Sequence, residues 1–206
     1  VGARTFRKYV ENFSFGEVTG IELAGEVRGD VSALRKNGEI YAATASFGQG
    51  IAATPLQIVA AYGALANGGK LMRPYIVAEV RRSDGTKEVT SPRVMREVIS
   101  SRTSKFIAGM LTSVVENGHG KRAGVPGYYV AGKTGTAQVP KPGGGYDPDI
   151  TIGSFAGFAP ADDPKFVMLV KIDHPRDVKW AESTAAPLFG ELAAFLLQYY
   201  EVPPER

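Results

Sequence analysis

Apolar residues recur at helical spacing in four stretches of the chain. Across residues 3–13, Phe6, Tyr9, Val10 and Phe13 fall on one side and predict a short helix. Thr54 and Pro55 predict the start of a second. Threonine can cap the first turn, and proline sits where a missing N–H costs nothing. Leu56, Val59, Ala60, Gly63 and Ala64 then repeat up to the stop signal Asn67-Gly68-Gly69. Residues 104–116 predict a third helix, with Phe106, Ile107, Met110, Leu111, Val114 and Val115 as its apolar face and Asn117-Gly118-His119-Gly120 as its end. Residues 184–200 predict a long apolar helix, with Pro187 in its first turn. Leu188, Leu192, Phe195, Leu196 and Tyr199 are spaced to cover one face of a sheet.

Between these stretches the pattern turns extended. Residues 16–30, punctuated by Gly16, Gly20, Gly25 and Gly29, predict turns with one short extended piece at 21–23. Residues 74–80 and 86–89 flank Ser83-Asp84-Gly85 and predict a hairpin. Residues 128–139, 151–158 and 165–172 predict three longer strands. Lys141 to Pro148, with three successive glycines and two prolines, is expected as an exposed linker, and residues 160–164 as a turn. Connections this short cannot hold two helical crossovers, so the strands are expected to be antiparallel neighbours. The class is α+β. Residues 1–120 form a mainly helical lobe with its connections, and residues 121–206 an antiparallel sheet with a covering helix.

The 206 residues are enough for one substantial core or two small lobes. The net charge of +3 fits an acidic polymer or an anionic surface nearby. No basic run resembles a nucleic-acid footprint. Arg81-Arg82 and Lys121-Arg122 are short pairs suited to solvated loops. The chain has no cysteine, which excludes a disulfide, a thiol nucleophile and a cysteine-based metal site. Its two histidines, His119 and His174, lie in different segments without an HExxH pattern, and no metal is expected. The apolar runs fall far short of the ~20 residues a bilayer span needs. No signal peptide is recognisable, and the start at Val1 leaves open a processed or partial chain.

The candidate chemistry lies in Gly132-Lys133-Thr134-Gly135-Thr136, between Tyr128-Tyr129-Val130 and Ala137-Gln138-Val139. The spacing from Gly127 to Thr134 meets GxxxxGK[ST], a phosphate-loop pattern. Its inner residues Tyr128, Tyr129, Val130 and Ala131 favour strand over a tight cradle, and Pro140 follows too soon for a helix. Asp163 and Asp173 have no specific support as magnesium ligands. On a strand, Thr134 and Thr136 share one face, and two hydroxyls there suit a carboxylate. Gly135 offers a ligand unobstructed backbone, Lys133 adds positive charge, and an amide near the motif's end suits a developing oxyanion. The plain alternative is a surface lysine beside threonines chosen for β propensity.

Lys-Thr-Gly is also part of a serine acyl-transfer signature. The chain resembles the transpeptidase domain of penicillin-binding proteins, over nearly its whole length. Besides residues 133–138, the resemblance rests on Ala45-Ser46-Phe47-Gly48-Gln49-Gly50, Thr54-Pro55-Leu56-Gln57, residues 62–69, Phe155-Ala156-Gly157-Phe158-Ala159-Pro160 and residues 166–172. Within the family it is most similar to the class B enzymes, and residues 155–160 lean toward the septal division type. The resemblance implies a partial penicillin-recognising, β-lactamase-like serine transpeptidase fold. It implies a peptidoglycan D,D-transpeptidase that needs no cofactor and that β-lactams inhibit. A D,D-carboxypeptidase and a noncatalytic penicillin-recognising sensor are the alternatives.

In such enzymes a serine attacks the penultimate D-alanine carbonyl of a stem peptide, and a neighbouring stem peptide's amine resolves the acyl-enzyme. By this resemblance, Lys133 hydrogen-bonds to a serine of the SxN motif. Thr134 and Thr136 receive the terminal carboxylate beside Gly135, and the Thr136 amide is one oxyanion donor. The nucleophile motif Ser-x-x-Lys and a Ser-x-Asn motif do not occur in this sequence. The chain is expected to be the C-terminal portion of one transpeptidase domain, with the missing N-terminal part of that domain as its partner. The resemblance also implies anchoring at the outer face of the bacterial cytoplasmic membrane through a segment outside this chain. Cell-wall glycosyltransferase and division proteins are the further expected partners. Ser46, Gln49, His119, Asp173, His174 and Trp180 receive structural readings, with Trp180 expected to pack the connection before the last helix.

Overall fold

A computed structural model describes residues 1–176 and 178–206. The chain divides into two compact units. One comprises Val1–Ala64 with Gly69–Ser100, the other Leu65–Gly68 with Ser101–Arg206.

The first unit contains helices α1 (Ala3–Asn12) and α2 (Glu39–Ala45) and all but the last two residues of α3 (Pro55–Ala66). It also contains four short strands: β1 (Lys70–Met72), β2 (Glu79–Arg81), β3 (Lys87–Val89) and β4 (Val94–Glu97). Val31, Leu34, Ala42 and Ala45 form one small core, on which Phe6 and Val10 of α1 pack. Ala64, Leu71 and Val98 form another, joined by Phe13. The N-terminus of α3 is a reciprocal capping box. Thr54 Oγ1 accepts the Gln57 amide at 3.2 Å, and Gln57 Oε1 accepts the Thr54 amide at 2.9 Å.

The expected hairpin forms as β2–β3, but its strands are shorter than residues 74–80 and 86–89. The antiparallel pair β1–β4 was not signalled by alternation, because each strand is only three or four residues long. Gly69 enters β1 at φ 96°, where a Cβ would lie 2.0 Å from the Ile99 carbonyl oxygen. The extended piece expected at residues 21–23 is not a strand. Gly20 and Gly25, both at φ 77°, turn the backbone on either side. The Glu26 carboxylate gathers the Thr19 amide and hydroxyl, each at 2.6 Å, and the Gly20 amide at 3.0 Å, which closes a loop across the segment.

The second unit is built on helix α4 (Ser101–Asn117), strands β5 (Ala131–Pro140), β6 (Tyr146–Ala159) and β7 (Phe166–Asp173), and helix α5 (Ala185–Tyr199). The three strands form one antiparallel sheet in the order β5-β6-β7, as expected. The expected linker at residues 141–148 is shorter than predicted, since Tyr146 to Pro148 already belong to β6. A tight turn replaces it, closed by the Lys141 amide on the Gly145 oxygen at 3.0 Å.

Helix α5 covers the sheet with a different face from the one its large residues predict. Ala185, Ala186, Phe189, Gly190, Ala193 and Leu197 are buried. Leu188, Leu192, Phe195 and Tyr199 are exposed, Phe195 by 61%. The sheet supplies the bulk here: Phe155 is fully buried, and its ring centroid lies 4.6 Å from that of Phe189. Small residues on α5 then allow close approach. A Cβ on Gly190 would already lie 2.9 Å from the Arg122 carbonyl oxygen. Helix α4 departs in the same way, burying Ser104 and Val115 while Phe106 and Met110 face outward. Trp180 does not pack the connection before α5; it is 63% exposed.

Candidate active site

Strand β5 is the edge of its sheet and pairs with β6 alone among the described residues. The register sets Lys133 opposite Ala156, Thr134 opposite Phe155, Gly135 opposite Ser154 and Thr136 opposite Gly153. Directly opposed residues share a face. Thr134 and Thr136 therefore lie on the face that carries Phe155 and Gly153, while Lys133 and Gly135 lie on the other. Lys133 and Thr136 are exposed, and Thr134 and Gly135 are partly so. Ahead of them the strand is closed, with Ala131 and Gly132 buried. A Cβ on Gly132 would meet the Phe155 ring at 2.4 Å.

The two hydroxyls are engaged in the same way by different donors. Lys133 Nζ donates to the Thr134 carbonyl at 3.0 Å and to Thr134 Oγ1 at 3.2 Å. Thr136 Oγ1 accepts the Ala181 amide at 3.2 Å. A hydroxyl has one proton to give and two lone pairs to receive with. Each threonine oxygen receives an N–H, so each keeps its proton for another acceptor. No ion pair found among the described residues joins Lys133 to a carboxylate.

Ala181 belongs to a 3-10 turn, Ala181–Ser183, between β7 and α5. Gly153 lets this turn reach the sheet. A Cβ there would lie 2.8 Å from Thr184 Oγ1 and 3.4 Å from Ala181 Cα. Neither Gly153 nor Ala181 stood out in the sequence. A glycine inside a strand was the available signal for such an approach. Gly135 also has a neighbour: Ser154 Oγ donates to its carbonyl at 3.3 Å, and a Cβ on Gly135 would lie 2.8 Å from that oxygen.

The phosphate-loop pattern does not form a phosphate loop. Lys133 lies inside a strand that continues to Pro140, with no helix N-terminus after it. Among the described residues no cluster of acidic, histidine or cysteine side chains suits a metal ion. Asp163 and Asp173 pair with Lys165 and Lys171. His119 Nδ1 lies 2.7 Å from Glu182 Oε2 at an exposed position. In the first unit Ser46 Oγ is turned back to the Ala43 carbonyl at 2.7 Å, a local structural bond.

A lysine and two hydroxyls with protons to give lie along an open strand edge of this α+β fold, an arrangement able to receive an anionic, extended ligand. Solved structures share that fold. Penicillin-binding protein 3 of Mycobacterium tuberculosis complexed with ampicillin matches with a TM-score of 0.88 at 35% identity, covering 96% of this chain and 46% of that one. The transpeptidase domain of Burkholderia pseudomallei penicillin-binding protein 3 matches with a TM-score of 0.87 at 28% identity, covering all of this chain and 60% of the other. Residues 1–194 match the penicillin-binding protein transpeptidase domain, and the chain belongs to that family, among its class B members. It is 43% identical to stage V sporulation protein D of Bacillus subtilis, over 100% of this chain and 32% of that protein. It is 37% identical to penicillin-binding protein PbpB of Mycobacterium tuberculosis, over 98% of this chain and 31% of that protein. The chain thus spans about a third of the length of these relatives.

Proposed function

We propose that Thr134 and Thr136 bind the terminal carboxylate of a peptidoglycan stem peptide, beside an oxyanion donor, in a serine-type D,D-transpeptidase. The observation that carries this reading is the state of the two hydroxyls. Each oxygen accepts an N–H, from Lys133 Nζ or Ala181, and each proton remains available to an anion. Alternate residues of an edge strand turn their amides away from the paired neighbour. Thr134 and Thr136 have the same parity, and the Thr134 carbonyl is taken by Lys133 Nζ. This parity supports reading the Thr136 amide as a donor on the same open edge, to a carbonyl oxygen becoming negative.

In the reaction the serine oxygen forms a bond to the penultimate D-alanine carbonyl carbon. The bond to the terminal D-alanine nitrogen then breaks, and that amine leaves with a proton. An amine of a second stem peptide resolves the ester. β-Lactams carry a carboxylate and an acylating carbonyl in a similar relation and fit the same reading. Lys133 supplies positive charge and reaches toward the serine of the SxN motif. This sequence contains neither Ser-x-x-Lys nor Ser-x-Asn, so acylation belongs to the parent protein in which those motifs complete the site. Among the described residues no helix is long and apolar enough to cross a membrane. We place the parent at the outer face of the cytoplasmic membrane, in septal wall synthesis with glycosyltransferase and division proteins. Class B membership and similarity to PbpB support that placement.

Labelling the parent protein with a fluorescent penicillin tests the site. Lys133→Ala is expected to lower the acylation rate by about a hundredfold, the loss typical of one electrostatic group in an acyl-transfer site. An unchanged rate would reject the assignment.

A further inference from the structure

We infer that His119 and Glu182 form a positioning pair that holds the Ala181 amide on Thr136, and so fixes the Thr136 hydroxyl as a donor to the ligand. The inference rests on the carboxylate reading of that hydroxyl. His119 stands on a rigid post. The Val114 carbonyl at the end of α4 accepts the amides of both Gly118, at 3.0 Å, and Gly120, at 3.1 Å. A Cβ on Gly120 would lie 3.1 Å from Val115 Cα, so the turn is packed against the helix. The 3-10 turn Lys121–Ala123 follows at once, with Ala123 fully buried and the Arg122 carbonyl close against Gly190 of α5. From this post His119 Nδ1 meets Glu182 Oε2 at 2.7 Å.

Glu182 is the residue after Ala181. Between β7 and α5 the 3-10 turn Ala181–Ser183 is the only regular element among the described residues. Other side-chain ties hold the residues just before Ala181: Thr151 Oγ1 donates to the Lys179 carbonyl at 3.1 Å, Lys179 Nζ to Asp149 at 2.9 Å, and Thr184 Oγ1 to the Trp180 carbonyl at 3.1 Å. Among the described residues, His119 supplies the one side-chain bond from α4's end to this turn. Glu182 and Ser183 share a surface recess with Lys121 and Arg122, so a carboxylate is the complementary charge there. An exposed polar pair adds little stability by itself. Its consequence here is geometric: Thr136 Oγ1 accepts Ala181 N–H only while the turn stays against Gly153. If the turn drifts, the hydroxyl rotor is free, and its proton no longer points by default to an incoming anion.

The test uses the full parent protein and separates penicillin affinity from the acylation step. His119→Ala and Glu182→Gln are each expected to weaken the noncovalent step about two- to fivefold, the scale of an exposed pair, with the acylation constant unchanged. The double variant should lose no more than either single one. His119→Asn, whose side-chain N–H can donate to Glu182 from a similar position, should restore affinity. Amide exchange at Ala181 should quicken in His119→Ala and return in His119→Asn. Normal affinity in His119→Ala, or a loss that His119→Asn does not repair, overturns the inference. Failure of the underlying reading has a different signature: Thr136→Val would then leave affinity untouched, whatever happens to Ala181 exchange.

Discussion

Gln57 in the first unit and Thr136 in the second are both polar side chains tied to backbone amides, and they serve opposite ends. Gln57 is 2% exposed and its side chain's bonds are made inside the protein. Its Nε2 donates to the carbonyls of Glu17 at 2.7 Å and Arg28 at 2.8 Å, and its Oε1 accepts Thr54 N–H at 2.9 Å. Thr136 is exposed and spends only an acceptor site, on Ala181. A polar group whose capacity is consumed internally specifies structure. One whose remaining capacity faces solvent on a rigid strand is available to a ligand. Residue type does not separate the two roles, but the count of unspent donors does.

Gln57→Ala should break the first side of this contrast most visibly. It leaves two carbonyls and the Thr54 amide without their partner, and is expected to cost about 3 kcal/mol. Urea unfolding of the parent's transpeptidase domain measures it, and a loss under about 1 kcal/mol would show that water replaces the bonds. Lys133→Ala should do the reverse, with acylation down about a hundredfold and the unfolding midpoint unmoved. Gly132→Ala sharpens the boundary within β5, because its Cβ would strike the Phe155 ring and Ala156 oxygen. We expect about 2 kcal/mol of destabilisation from that overpacking. If Gly132→Ala unfolds normally, the closed end of the strand is not closed.

A smaller effect concerns Glu116, whose carboxylate is held by Arg206 at 2.7 and 2.9 Å. The hydrogen bonds from Arg206 lower its pKa below the ordinary 4.5, against a smaller upward push from burial. Its contribution to stability is therefore full above about pH 4.5 and is lost as pH falls through the depressed folded value. Arg206→Ala should lower stability slightly at neutral pH, and the difference should vanish in acid. A difference that persists at pH 2 would assign the effect to packing.

The sequence showed the sheet well and the helix faces poorly. Three strands, their antiparallel order and the place of Lys133 to Thr136 on one of them could be read because β branching, glycine and turn residues act locally. Thr54 was legible as a cap, but Gln57's reach to Glu17 and Arg28 was not, because those partners come from a distant loop. Leu192 and Phe195 were expected inward, since apolar size normally marks the buried face. On this sheet Phe155 fills the space, and the buried face of α5 sets the small Ala185, Ala186, Gly190 and Ala193 around Phe189. The Ala181–Thr136 bond could not be foreseen either. It depends on Gly153 admitting a turn 45 residues from Thr136 in sequence.

The most direct measurement compares a penicillin with its carboxylate methyl ester as acylating agents of the parent protein, in the natural sequence and in Thr134→Val/Thr136→Val. The natural protein should strongly prefer the free acid. The double variant, which keeps both backbone amides and nearly the same shape, should lose most of that preference, by about tenfold or more, while reacting with the ester much as before. An undiminished preference for the acid in the double variant would contradict the account, because some other group would then be holding the carboxylate.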